Sequence, residues 1–186
     1  MKTKIEPWPT VESKDLGDYR VFHLRGHRRK SPRTGAEHDF LVLDCRNWVN
    51  VVALTPEKEI ILVEQFRHGT ETVELEIPGG VIDTSDEPPL EAGLRELREE
   101  TGFVGKSGRI IGEVYSNPAI MNNTTFTVLV ENCRKTHETE FDHGEDIVTR
   151  LIPVEEALEM AATGKIRHSL VVAALFHFDR ARRREA

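Results

Sequence analysis

Three carboxylates at helical spacing stand out in this 186-residue chain: Glu96, Glu99 and Glu100, within PGGVIDTSDEPPLEAGLRELREETGF at residues 78–103. Positions i, i+3 and i+4 are neighbours on a helix, so the spacing predicts one acidic cluster. Leu90, Leu94 and Leu97 recur at the same intervals farther round and would anchor that helix to a core. Like charges four residues apart oppose each other by roughly 0.2–0.5 kcal/mol, so Glu96 and Glu100 weaken the helix that carries them. A hard divalent cation reverses that sign, because Mg²⁺ takes oxygen ligands and favours carboxylates and phosphates. The competing reading is a solvated acidic face neutralised by Arg95 and Arg98, the usual meaning of a charge run.

The flanks favour the first reading. Gly79-Gly80 permits close backbone approach, Asp86 or Glu87 is placed to cap the helix, and Pro88 and Pro89 fit only its first turn. Gly102 followed by Phe103 reads as a left-handed helix stop of the Schellman kind.

Strands must position this helix. Residues 48–55 (WVNVVALT), 59–65 (EIILVEQ) and 72–78 (TVELEIP) are strand runs leading directly into the glycines. After the GKSG turn, 109–115 and 124–131 are strands separated by the turn-rich SNPAIMNN, and 147–152 is another. Residues 1 to about 17 have no clear period and read as an arm. Residues 19–25 and 40–45 alternate and predict a hairpin whose long loop carries the basic patch Arg28-Arg29-Lys30 with Arg33. His23 and His27 are expected as two separate surface histidines. A helix or helix pair begins near Pro153, with Leu170, Ala173, Ala174 and Leu175 as its buried stripe and a frayed RRREA end. The pattern predicts a mostly antiparallel or mixed sheet flanked by helices.

Composition narrows the class. With 38% hydrophobic and 31% charged residues the chain is expected to be a soluble globular protein, its length allowing one well-filled domain with a small appendage. No run approaches a membrane span and MKTKIEPWPT lacks a signal-peptide core, so no membrane role and a cytoplasmic location are expected. The cysteines Cys45 and Cys133 lie far apart in or beside strand runs, as reduced, half-buried thiols. A net charge of −7 disfavours sequence-independent nucleic-acid binding but not a small anionic substrate held through metal.

With these residues in view, the 78–103 segment resembles the Nudix box: Gly, five residues, Glu, seven residues, Arg-Glu-apolar-x-Glu-Glu-x-Gly-apolar. Gly80 matches the opening and Arg95, Glu96, Leu97, Glu99, Glu100, Gly102 and Phe103 match the second half. The first acid is Asp86 counted from Gly80 and Glu87 counted back from Arg95, so the turn holds one extra residue. ILVEQFRHGTETVELEIPGG, Pro118 and the GEDI at 144–147 further resemble ADP-ribose pyrophosphatases and related nucleoside diphosphate sugar hydrolases.

The resemblance implies an α+β protein, a Nudix-type α/β/α sandwich with a mixed sheet and an N-terminal β-hairpin subdomain. Residues 1–45 are expected to form an arm and strands that pair two subunits into a homodimer, and 46–186 the hydrolase domain. It implies Mg²⁺, with Mn²⁺ as an alternative, held by the carbonyl of Gly79 and by Glu96 and Glu100, with Glu99 bridging or acting through water. Glu99, Glu100 and Glu145 are the expected catalytic residues, Glu145 as the base, although Glu138, Glu140 and Asp142 share its loop. Arg67, Glu74, Glu76 and Pro118 are the expected substrate-binding residues. Arg67 either clamps a diphosphate or pairs with a carboxylate, and Glu74 and Glu76 share one strand face. Tyr19, Phe22 and Trp48 stack on a base or pack in a core or dimer contact. The implied reaction is Mg²⁺-dependent hydrolysis of the diphosphate of a small nucleotide sugar, ADP-ribose first. The alternatives are another nucleoside diphosphate-X such as GDP-mannose or a dinucleotide, and a non-catalytic nucleotide sensor. The last is disfavoured because all three glutamates are present and a winged-helix extension has no room.

Overall fold

The computed structural model describes residues 4–82 and 88–185. The chain runs β1 (Thr10–Asp18), β2 (His23–Lys30), β3 (Glu37–Asp44), β4 (Trp48–Ala53), β5 (Glu59–Arg67), β6 (Thr72–Glu76) and β7 (Gly79–Val81). Then follow α1 (Pro89–Thr101), β8 (Phe103–Val104), β9 (Gly108–Tyr115), β10 (Thr124–Val130), β11 (Arg134–Lys135), β12 (Ile147–Pro153), α2 (Val154–Ala162) and α3 (Ser169–Glu185). Two compact units emerge, Met1–Arg46 with Tyr115–Asn123, and Asn47–Val114 with Thr124–Ala186.

The first unit is a three-stranded antiparallel meander, β1-β2-β3. The expected hairpin is present as β2 and β3, and it gains a strand from the segment read as an arm. That strand, TVESKDLGD, is exposed along most of its length, so it carries no apolar alternation to betray it. The long loop shrinks to 31–36, closed by Ser31 N–H to the Ala36 carbonyl at 2.8 Å. Arg28, Arg29 and Lys30 therefore lie on β2, where Arg28 pairs with Asp39 and Glu12. His23 and His27 lie on β2 as well, at a spacing that puts them on one face of a strand, contrary to expectation. The SNPAIMNN loop is tied to β3 through Leu43 N–H to Ile120 O at 2.8 Å and Asn122 Nδ2 to Asp44 Oδ1 at 2.7 Å.

In the second unit, one sheet has the order β7-β4-β10-β9 and another β12-β5-β6. β4 is parallel to β10 and antiparallel to β7, so the first sheet is mixed as expected, whereas β5 is antiparallel to both its neighbours. β4 buries both faces, which is why it reads as a near-continuous apolar run. Val49, Val51 and Ala53 pack with Ala92 and Leu97 of α1, whereas Val52 and Leu54 pack with Ala157 of α2 and Val171, Ala174, Leu175 and Phe178 of α3. Each such valine, leucine or phenylalanine contributes about 1.5–3 kcal/mol when fully buried. Helices thus cover both faces, the sandwich that the resemblance implies. The α3 stripe is Val171, Ala174, Leu175 and Phe178; Leu170 and Ala173 lie off it, and the helix continues through Glu185 with residues 183–185 exposed. Among the described residues no helix is long and apolar enough to cross a membrane.

Gly93 explains how closely α1 approaches the sheet. A helix-interior glycine costs about 1 kcal/mol against alanine. A β-carbon there would meet methyls of Val49, Val51 and Val128 at 3.1–3.3 Å, tighter than ordinary contact. The helix starts at Pro89, with Pro88 as N-cap and no side-chain cap bond, while Asp86 and Glu87 lie outside the described residues. It stops at Gly102, φ 74°, whose N–H reaches Arg98 O at 2.8 Å. The Phe103 N–H goes instead to Thr101 Oγ1 at 3.1 Å, so the stop is the simpler left-handed form and not a Schellman motif.

Candidate active site

The acidic cluster forms, but its members meet different surroundings. Glu100 is 5% exposed, and its Oε2 accepts a hydrogen bond from the Gly79 N–H at 3.1 Å. Burial pushes its carboxyl up to about 8, with Glu96 and Glu145 adding repulsion against the opposing Gly79 bond and Arg67 charge. Burial likewise pushes Glu96 up to about 7, against the pull of Arg95. Glu96 rests on Gly80, where a β-carbon would run into its carboxylate. The glycine pair therefore lets one backbone segment lie against both buried acids. Glu99 is more open and is held by Arg95 at 3.0 Å and Arg98 at 3.2 Å.

Among the described residues no three acidic, histidine or cysteine side chains already converge as a ligand set. The Arg95 guanidinium lies between Glu96 and Glu99, 3.0 Å from each. The donor chemistry nonetheless fits a hard divalent cation. Glu96 and Glu100 are oxygen donors taken out of water, and the protein's own cations leave both pushed towards neutrality.

Glu145 is among the charges that push up the carboxyls of both Glu96 and Glu100. Its Oε2 accepts the Asp142 N–H at 3.0 Å, so the loop folds on itself there. The loop is also fastened to the end of α1. Thr136 and His137 N–H both reach Gly102 O at 3.0 and 3.1 Å, and Glu140 N–H reaches Glu99 O at 2.8 Å. That fastening was not legible in the sequence, because backbone donors carry no residue signature.

Arg67, at the end of β5, meets Glu76 of β6 in a two-pronged bond: Nε to Oε1 and Nη2 to Oε2, each 2.7 Å. The Glu76 bonds hold its guanidinium pKa above the usual range, with the charges of Glu100 and Glu145 adding to the shift. Glu74 points elsewhere, to Thr72 Oγ1 at 2.6 Å and Arg167 at 2.5 Å. The Arg167 pairing joins residues 93 apart in sequence, which no local spacing could reveal. Pro118 lies in the amino-terminal unit and is exposed. Tyr19 and Phe22 stack on each other at 5.2 Å.

The chain matches the NUDIX domain over residues 46–175 and belongs to that family. It is similar to an ADP-ribose pyrophosphatase of Bacillus subtilis (strain 168), 34% identical over 119 residues, 63% of this chain and 64% of that protein, so the match spans less than two thirds of the relative's length. It is similar to an ADP-ribose pyrophosphatase of Mycobacterium tuberculosis, 27% identical over 165 residues, 88% of this chain and 79% of that one. A GDP-mannose pyrophosphatase of Enterobacter sp. (strain 638) is 29% identical over 178 residues, 90% of this chain and 91% of the relative. The fold matches a crystal structure of an ADP compounds hydrolase at TM-score 0.85 and 18% identity, covering 100% of this chain and 99% of that one.

Proposed function

We propose that this protein is a Mg²⁺-dependent pyrophosphohydrolase that cleaves the diphosphate of nucleoside diphosphate sugars, ADP-ribose first, giving AMP and ribose 5-phosphate. The observation that carries this reading is the pair of secluded acids, Glu96 and Glu100, lying against the Gly79-Gly80 backbone. Glu96, Glu99, Glu100 and the Gly79 carbonyl would hold the cation. When bound, Mg²⁺ neutralises diphosphate oxygens and lowers the pKa of the attacking water. Glu145, one of the charges that act on both buried acids, would take the proton from that water. Arg67 offers its remaining donors to a phosphate, and Arg95 must leave Glu96 and Glu99 for these to turn to the cation.

A second reading, GDP-mannose as substrate, draws on the near full-length similarity to the Enterobacter protein. Both readings are tested by a panel of nucleoside diphosphate sugars with product identification, with Mg²⁺, Mn²⁺ or a chelator. Cleavage of ADP-ribose to AMP only with a divalent cation is expected; absence of turnover on the whole panel would overturn the assignment.

We further propose that residues 1–45 serve dimerisation, that the protein acts as a homodimer, and that the enzyme works in the cytoplasm. Val11, Leu16, Phe40 and Leu41 of the meander are 42–54% exposed, apolar side chains that a second copy would cover. A monomer by light scattering at micromolar concentration would contradict the dimer.

A further inference from the structure

We infer that Glu76 is a positioning residue: it does not touch the substrate but fixes the Arg67 guanidinium so that its free edge faces the diphosphate. The inference rests on the hydrolase reading above and assigns Glu76 a role different from direct substrate binding.

The geometry leaves Glu76 little else to do. It is 3% exposed, and both of its oxygens are taken by Arg67, each at 2.7 Å. A carboxylate so engaged has no face left for a negatively charged ligand and would repel one. Arg67 is the complement. Its side chain is 43% exposed, and Nε and one hydrogen of Nη2 are spent on Glu76. A planar guanidinium has five N–H donors, so the edge opposite Glu76 keeps three, with Nη1 making no hydrogen bond among the described residues. Glu76 ends β6, three residues before Gly79, whose N–H donates to the buried Glu100, and this sets the Arg67–Glu76 pair at the edge of the acidic cluster.

The sheet register makes the pairing rigid. β5 and β6 pair with Val63 opposite Glu76 and Arg67 opposite Thr72. Arg67 therefore reaches diagonally along the edge strand, past Glu74, to Glu76. An unheld arginine on a strand end would sample many rotamers, and ordering it would be charged against substrate binding. Glu76 settles that orientation before the substrate arrives.

The test is a double-mutant cycle on steady-state hydrolysis of ADP-ribose with Mg²⁺, using wild type, Glu76→Gln, Arg67→Ala and the double variant, with thermal unfolding of each. Arg67 holds a phosphate in ground and transition states alike, so Arg67→Ala and Glu76→Gln should each raise KM about 10-fold with kcat changed far less. Glu76→Gln should add little in the Arg67→Ala background, because its only route to the substrate is already gone. Effects that multiply, or a Glu76→Gln that lowers the unfolding midpoint with KM unmoved, would overturn the inference while leaving the hydrolase reading intact. A folded wild-type protein inactive on every nucleotide sugar would overturn both.

Discussion

Helices α1 and α3 handle their carboxylates in opposite ways. At the carboxy-terminal end of α3, Asp179 works against burial and is still drawn below the usual carboxylate range by hydrogen bonds from Arg182 and Arg183. Its neighbour Glu155 on α2 is drawn down by Arg182 as well. In α1, Glu96 and Glu100 are taken out of water and pushed up to about 7 and about 8, with arginines close by that do not offset the burial. Charges on α3 stabilise its docking weakly at the surface. Those on α1 weigh against the fold, and such a site is retained where something outside the polypeptide compensates it.

The largest break in that comparison should come from Glu100→Gln. The change keeps shape and removes a charge from a site meant to concentrate cations, so turnover should fall ~10²-fold or more with the fold intact. Glu96→Gln should behave alike, and Glu99→Gln should be milder or comparable. Full Mg²⁺-dependent activity in Glu100→Gln would remove the functional side of the contrast.

Next comes Glu145→Gln, which should lower kcat by ~10²-fold and move KM far less, because a base acts in the transition state. Single-turnover and steady-state rates for Glu145→Gln, Glu140→Gln and Asp142→Asn decide among the loop acids. A near-normal Glu145→Gln beside a crippled neighbour would move the role within the loop.

A smaller effect concerns pH without metal. Both acids carry folded values raised from 4.5, so the stability they contribute is full below about pH 4.5 and is lost as pH rises through about 7 and about 8. Metal-free wild type should lose on the order of a few kcal/mol across that window, and Glu100→Gln should flatten the loss. Urea unfolding at a series of pH values with chelator reads this directly; parallel curves for the two proteins would refute the raised pair.

The smallest effect sharpens the other side. Glu155→Gln removes an exposed partner of Arg182 and should leave stability almost unchanged, with hydrolysis unchanged. Calorimetric unfolding and a rate assay check both halves, and a large loss of activity would place α3 in the site.

The comparison also explains what could be read from residue order. The α1 cluster was legible because helical spacing alone brings Glu96, Glu99 and Glu100 together, and β4 and β5 because both their faces are apolar. β1 was hidden because an exposed strand of TVESKDLGD needs no apolar period. The basic run at 28–30 looked like a loop, since its partners Asp39 and Glu12 come from neighbouring strands whose register must be known first. The same holds within the site. That Arg67 meets Glu76 and Glu74 meets Arg167 depends on the pairing of β5 with β6 and on where the α2–α3 connection runs, so one strand face of two glutamates resolved into two separate pairs.

The most direct test of the central claim is calorimetric titration of metal-free protein with Mg²⁺ near pH 7, in buffers of different ionisation heat. If the buried α1 acids hold the cation, wild type binds and releases protons as Glu96 and Glu100 ionise, while Glu100→Gln binds far more weakly and releases fewer. Equal affinity and equal proton release in the two proteins would contradict the account.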